Sequence, residues 1–242
     1  AISDCNLRYC LAPGTGTWRS FTGRWPNAMQ NIDSAIINAK EYGAEGILLT
    51  SWGDCGNHQP WATLYPALFY GAAQAWAGQP INELDIVNGM NILLFNNQYN
   101  SPSRALMELG RLDQKIGSNI PNTSLCWFLL FAPHPEKLLS FLTQNHQVSQ
   151  LEDGLEHLQS VRDTVSTPNL NNQASMVADE ILLGIELSEK ALERGISLLG
   201  DRDWTPLPSG HSLFSSYENI WRTRARPGGL KESMDILTHS LT

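Results

Sequence analysis

The first third of the chain alternates between a strand-like and a helix-like pattern of apolar positions. The predicted strands are residues 7–11 and 46–50, and the predicted helices are residues 26–43 and 66–76. The second strand is apolar on both faces, as a strand buried in a parallel sheet is. In the first helix, Met29, Ile32 and Ile36 lie three or four residues apart and therefore share one face. Two strand–helix units in this order are the repeat of an α/β fold.

From about residue 81 onward the pattern is helical. The strongest segment is 175–199, where Val177, Ile181 and Ile185 recur at helical spacing and Gly200 follows the last turn. The other predicted helices are residues 85–95, 103–116, 124–131, 135–143, 151–165, 212–224 and 230–241. Amphipathic helices in succession predict a bundle, so we divide the chain into domains at 1–80 and 81–242.

Two strands do not make a stable sheet by themselves, and this consideration decides the predicted fold class. A closed (β/α)₈ barrel takes roughly 250 residues, so the first domain supplies about a quarter of one. We therefore predict an α/β part, the C-terminal fragment of a TIM-like barrel, followed by an all-α bundle. On this interpretation the partner strands belong to an N-terminal part of the same protein that is missing from the sequence.

Charge and composition exclude several kinds of partner. A net charge of −8 disfavours nucleic acid and anionic membrane surfaces. No apolar run reaches the roughly 18 residues of a membrane span, and residues 1–5 do not resemble a signal peptide. The four cysteines have neither C-x-x-C spacing nor the density of a disulfide scaffold, which predicts a reduced, cytoplasmic chain. The six histidines lack metal-ligand spacing, and we expect no metal and no cofactor.

Candidate chemistry lies in the two loops that follow the predicted strands, residues 12–24 and 51–61. Each loop contains glycines and a tryptophan just beyond the strand end, Trp18 in the first and Trp52 in the second. Trp52 and Asp54 are two residues apart and are expected to point to the same side. There the indole can stack on a pyranose ring, and the carboxylate can accept hydrogen bonds from hydroxyl groups. The alternative is a structural loop in which Trp52 caps the barrel and Asp54 binds backbone amides.

The motifs around both loops form a specific combination. They are Ala12-Pro13-Gly14-Thr15, Trp18, Gly23-Arg24, Asn31-Ile32, Gly43-Ala44-Glu45-Gly46 and Trp52-Gly53-Asp54-x-Gly56. Over about residues 7–78 they resemble the last two strand–helix units of family 20 glycoside hydrolases, which are β-N-acetylhexosaminidases. A subset of that family has a helical domain after its barrel. Residues 81–242 are similar to that domain in kind, and residues 221–230 resemble its end.

The resemblance implies a substrate-assisted, retaining mechanism. In the family, an aspartate orients the acetamido group whose oxygen attacks the anomeric carbon, and an adjacent glutamate protonates the leaving oxygen. That Asp–Glu pair follows the fourth barrel strand, so we assign no catalytic residue in this chain. The only Asp–Glu dipeptide here, Asp179–Glu180, lies within a predicted helix and is interpreted as part of a solvated helix face.

The resemblance implies substrate contacts for three residues. Trp52 is similar to the family's tryptophan that forms one wall of the sugar pocket, and Asp54 is similar to the acid that binds the ring hydroxyl groups. Trp18 is similar to an aromatic residue that lines the same pocket. The weaker candidates are Arg24, Asn57 and His58. Arg24 can instead tie its loop to the following helix, and His58 can instead lie satisfied among loop carbonyl groups.

We therefore expect part of an exo-acting β-N-acetylhexosaminidase, a hydrolase of carbohydrate metabolism that removes terminal N-acetylhexosamine from glycans. This segment supplies a wall of the sugar pocket, and residues 1–242 alone are expected to be inactive. The alternative is a non-catalytic helical interaction module, or a sugar-binding module, that retains a barrel remnant.

Overall fold

The computed structural model describes residues 5, 7–77, 81–95, 101–132, 135–165, 172–200 and 202–242. Two short strands and eleven α-helices lie in these ranges. In chain order they are β1 (Cys10–Leu11), α1 (Trp25–Tyr42), β2 (Gly46–Ile47), α2 (Tyr65–Ala77), α3 (Glu83–Phe95), α4 (Ser101–Leu109), α5 (Leu112–Ile116), α6 (Leu125–Phe131), α7 (Pro135–Asn145), α8 (Val148–Val165), α9 (Asn172–Leu198), α10 (Ser212–Arg224) and α11 (Leu230–Leu241). Two 3₁₀ turns, Asp54–Gly56 and Trp61–Leu64, lie between β2 and α2.

The predicted fold class is wrong, because most of the described residues lie in helices. β1 and β2 pair in parallel with Cys10 opposite Gly46, and one further bridge joins Gly14 to Thr50. The described part of the chain contains no other strand, and strands of two residues are not barrel strands. A mostly all-α fold therefore replaces the predicted TIM-barrel fragment followed by a bundle.

The strand prediction failed because an apolar run needs ladder partners as well as strand-forming residues. Within the described ranges no third strand lies beside the pair, so regular ladder structure is limited to β1, β2 and the bridge between Gly14 and Thr50. Leu7 and Leu48 are 64% and 62% exposed. The apolar pattern had predicted that the second strand is buried on both faces.

Helix α1 forms where the sequence predicts it. Pro26 lies in the first turn, where its missing amide costs no helical hydrogen bond. Gly43 follows the last turn with a left-handed φ of 70°, and its amide donates to the carbonyl of Ala39. The buried face, which includes Ile32 and Ile36, packs against α2 and the strand pair.

Helix α9 is the centre of the larger core. It contacts α4, α6, α8 and α10, and its buried stripe follows the predicted spacing. Fully buried members of the stripe are Val177, Ile181, Ile185, Leu192 and Ile196. Phe21, from the loop after β1, and Ala62, from the second 3₁₀ turn, are buried in the same core. The helices therefore hold both candidate loops.

A smaller core lies among α1, α2 and α3. Ile32, Tyr70 and Met90 are buried there, one from each of these helices. Helix α3, which follows the predicted boundary at residue 80, shares this core with α1 and α2. The division of the chain into 1–80 and 81–242 stays a prediction.

Candidate functional site

Trp52 stands beyond the end of β2 with its side chain in solvent. It is 58% exposed, and its Nε1 donates a hydrogen bond to Oγ1 of Thr50 at 3.2 Å. The backbone carbonyl of Trp52 accepts a hydrogen bond from Nε2 of Gln59 at 2.8 Å, which closes the loop on itself. The indole is therefore held at its nitrogen while much of the side chain is open to a ligand.

Asp54 begins a tight turn two residues after Trp52. Within this turn Cys55 has a φ of 55°, and Asn57 follows with a φ of 54°. Left-handed backbone at two non-glycine residues is uncommon, and it reverses the chain direction over a short distance. Asp54 is exposed, so its carboxylate is available to accept hydrogen bonds from a ligand.

Arg19 joins the two loops. Its Nη2 donates to Sγ of Cys55 at 3.2 Å, and its guanidinium lies 5.2 Å from the ring of Trp127 in α6. The backbone carbonyl of Arg19 accepts from the amide of Ser124, the N-cap residue of α6, at 2.9 Å. No local pattern in the sequence distinguishes Arg19, because its partners lie far away along the chain. The helical part thus braces both loops through one arginine.

Trp18 and Arg24 pack against each other beside the strand pair. The guanidinium of Arg24 lies 5.3 Å from the Trp18 ring, and Nε of Arg24 donates to the carbonyl of Gly16 at 3.1 Å. The ring lies so close to Gly14 that a Cβ there would be 2.5 Å from two of its atoms. Burial lowers the pKa of Arg24, whose side chain is enclosed. Arg24, the residue directly before α1, thus contacts its own loop with its side chain, and Trp18 is half-buried over that contact.

His58 belongs to the core. It is 2% exposed, its ring stacks on Phe131 with centroids 4.5 Å apart, and its Nε2 lies 3.0 Å from the carbonyl oxygen of Ser233. Burial lowers the pKa of His58 to about 4, so the imidazole is neutral near neutral pH and Nε2 donates to that carbonyl. The neighbouring Asn57 is partly exposed and lines a cavity between its loop and α11.

The dipeptide Asp179–Glu180 does not present two free carboxylates. Glu180 has no solvent exposure, and Nη2 of Arg224 donates to its Oε2 at 2.5 Å. Burial raises the pKa of Glu180, while the Arg224 guanidinium and the backbone amides of Trp61 and Ala62 partly oppose this shift. The interpretation of a solvated helix face is therefore wrong for Glu180, because its side chain is buried. Local spacing could not predict this burial, since the cationic partner is 44 residues away along the chain.

The predicted site residues thus separate into two groups. Those accessible on the second loop are Trp52, Asp54 and Asn57, and those held by packing or buried contacts are Trp18, Arg24 and His58. One further aromatic side chain, Trp61, is 46% exposed at the end of the second loop and was not singled out. A second tryptophan in the same glycine-containing loop was the signal that could have identified it.

Comparison with protein-family models finds no match to this sequence, and comparison with curated proteins finds none. The resemblance to family 20 glycoside hydrolases therefore stays a prediction. In the part of the chain that the structure describes, no cluster of three or more His, Cys, Asp or Glu side chains is arranged to hold a metal ion. Among the described helices, none combines the length and apolar character that a membrane crossing requires.

Proposed function

We propose that this chain supplies one wall of the N-acetylhexosamine pocket of an exo-acting β-N-acetylhexosaminidase. The proposal is carried by the exposure of Trp52 and Asp54, two residues apart on a loop fixed by hydrogen bonds. An indole can cover the C–H face of a pyranose, and a carboxylate accepts strong hydrogen bonds from its hydroxyl groups. Both groups stand where a sugar can reach them.

The proposed reaction is substrate-assisted hydrolysis with retention of configuration. The acetamido oxygen of the substrate attacks the anomeric carbon while a glutamic acid protonates the leaving oxygen and an aspartate orients the acetamido group. Trp52 and Asp54 hold the ring in the orientation that this attack requires. The Asp–Glu pair comes from further polypeptide, because the one such dipeptide in this sequence has its glutamate buried against Arg224.

The proposal includes a reducing, cytoplasmic location and a glycan partner. Cys10 and Cys55 are free thiols at the surface, and Cys126 is a free thiol in the core. Exposed thiols persist in reducing compartments, whereas secreted chains tend to oxidise them. The net charge of −8 disfavours polyanionic partners and does not oppose a neutral glycan.

A non-catalytic interaction or sugar-binding module is the second candidate. Exposed apolar side chains near the strand pair favour it, since Ile37 and Tyr42 of α1 and Leu48 after β2 are each more than half exposed. Contiguous exposed apolar groups often mark contact surfaces for another protein. The two candidates differ in whether the natural gene product has hydrolytic activity.

Turnover of p-nitrophenyl N-acetylglucosaminide tests the proposal. We expect the natural gene product to hydrolyse it and residues 1–242 alone to be inactive, because residues 1–242 contain no accessible Asp–Glu pair. The coding sequence before Ala1 is expected to contain a His-x-Gly-x-Asp-Glu stretch. Turnover by the 242-residue chain that Asp54→Ala abolishes would overturn the assignment, and sugar binding without turnover by the natural product would favour the module.

A further inference from the structure

A cavity of about 620 Å³ lies between the second loop and the connection from α10 to α11. The loop contributes Asn57 and Trp61, and the helical part contributes Trp221, Gly229 and Glu232. Its volume falls within the range of roughly 300–1,000 Å³ that small-molecule sites occupy. The cavity therefore offers enough space for a sugar ring.

The cavity is distinct from the surface that presents Trp52 and Asp54. Ser51, Gly53 and Cys55 line it, whereas Trp52 and Asp54 are not part of its lining. Gly56 and Asn57, which follow in the tight turn, line it as well. One loop consequently separates two places where a ligand can bind.

The chemistry of the lining matches a carbohydrate. Trp61 is 46% exposed, and Trp221 is half-buried with its Nε1 donating to the carbonyl of Arg226 at 2.9 Å, which fixes the ring. Aromatic faces of this kind cover the C–H face of a pyranose. The Glu232 carboxylate and the Asn57 amide supply acceptors and donors for hydroxyl and acetamido groups.

The backbone on the helical side leaves room for a ligand. Gly229 has a left-handed φ of 83°, and a Cβ on Gly228 would meet no atom within 4 Å. Small residues at these positions leave both the ring of Trp221 and the first turn of α11 accessible from the cavity.

The two walls are fixed relative to each other. Oγ of Ser233 in α11 donates to the carbonyl of Gly56 at 2.5 Å, and the buried His58 donates to the carbonyl of Ser233 at 3.0 Å. The hydroxyl of Tyr217 in α10 lies 2.6 Å from the same Ser233 hydroxyl. Such ties preorganise the cavity and reduce the entropy lost when a ligand binds.

We propose that this cavity is a second sugar-binding site, which takes a pyranose of a β-linked N-acetylglucosamine oligosaccharide between Trp61, Trp221 and Glu232. The choice of an amino sugar rests on the proposed function, whereas the site itself rests on the lining. Glu232 accepts hydrogen bonds from the sugar, and Trp61 provides the more accessible aromatic face.

Titration of the ¹⁵N-labelled chain with N,N′-diacetylchitobiose tests the proposal. The eight indole N–H signals are assigned by single tryptophan-to-phenylalanine substitutions. We expect the Trp61 and Trp221 signals to shift saturably, and we expect Trp61→Ala and Glu232→Gln each to weaken binding at this site roughly tenfold, or about 1.4 kcal/mol. The matched controls are Trp76→Ala, at a residue 94% exposed on α2, and Glu156→Gln, at an exposed residue of α8.

The same titration separates this proposal from the function proposed for the other face of the loop. Shifts at Trp61 and Trp221 with no shift at Trp52 support the second site independently of the proposed pocket at Trp52, whose other walls come from further polypeptide. A shift at Trp52 alone, or no shift at all, overturns the second site. Unchanged affinity in Glu232→Gln and Trp61→Ala chains, with the remaining indole signals at native positions, also overturns it.

Discussion

Arg224 donates a hydrogen bond to Glu180 at 2.5 Å, and this ion pair fastens the second loop to the helices. Glu180 belongs to α9 and Arg224 to α10, while the backbone amides of Trp61 and Ala62 interact with the same carboxylate. The second loop, residues 51–61, therefore ends beside a buried charge. The orientation of the proposed sugar-binding surface depends on this contact between distant parts of the sequence.

Replacement of Glu180 by glutamine is expected to lower the free energy of unfolding by about 3 kcal/mol. The Arg224 side chain, which is 17% exposed, would then be mostly enclosed without its counter-charge. Urea unfolding at neutral pH measures the difference. The matched control is Asp179→Asn at the exposed neighbouring residue, which is expected to change stability by less than about 0.5 kcal/mol. Equal stability of the Glu180→Gln chain and the wild type would contradict the role given to the pair.

Gly184 allows α9 to approach the first loop. A Cβ at this position would lie 2.6 Å from the carbonyl oxygen of Phe21, a backbone atom held in the core. Gly184→Ala is therefore expected to destabilise the protein by about 1–3 kcal/mol, even though alanine is the better helix former.

Gly89→Ala in α3 is the matched control for this substitution. The nearest atom to its added Cβ belongs to the Phe69 ring at 3.4 Å, which is an ordinary contact. The control is expected to be stabilising by about 0.5–1 kcal/mol, since alanine loses less backbone entropy than glycine in a helix. Thermal unfolding of both variants shows whether each substitution raises or lowers the stability of the protein. A stabilised Gly184→Ala chain would show that α9 is not in close contact with the loop.

His58 is expected to make stability depend on pH below neutrality. Its pKa is about 4 in the folded protein against 6.5 for an unperturbed histidine, so the unfolded chain binds the proton first as the pH falls. The contribution of the neutral imidazole to the free energy of unfolding is fully present above about pH 6.5. It is lost as the pH falls from about 6.5 to 4, and its size is about 3 kcal/mol.

The free energy of unfolding measured from pH 7.5 to 4 for the wild type and for His58→Gln checks this prediction. The glutamine variant is expected to show a shallower decline, because it has no ionisable group at this position. His239→Gln, at an exposed residue of α11, is the matched control and is expected to keep the wild-type slope. If the free energy of unfolding falls equally steeply with pH in the wild type and in His58→Gln, the buried imidazole does not cause the loss of stability at acidic pH.

The helices were largely predictable because their signals are local. The predicted ranges 212–224 and 230–241 are those of α10 and α11, and α1 (Trp25–Tyr42) differs by one residue at each end from the predicted range 26–43. The predicted helix 103–116 is instead divided into α4 and α5 at Gly110. A Cβ there would be 2.8 Å from Cβ of Trp25, a close approach between distant residues that local spacing does not encode.

The fold class and part of the site were not predictable because they depend on distant contacts. The extent of the strands is set by the partners available to residues 7–11 and 46–50, and the apolar pattern carries no information about those partners. The same holds for His58, which is covered by Phe131 and Ser233, and for Trp61, which lines the cavity together with the distant Trp221. Trp52 and Asp54 are both exposed on one loop, and their contacts with a sugar stay a prediction.

The ratio kcat/KM of the natural gene product for p-nitrophenyl N-acetylglucosaminide, compared between the wild type and Asp54→Asn, tests the proposed function most directly. Loss of hydrogen bonds to a charged acceptor is expected to lower the ratio roughly 10- to 100-fold, while Asp179→Asn leaves it unchanged. The same ratio in the wild type and Asp54→Asn would contradict the proposal that this carboxylate binds the sugar.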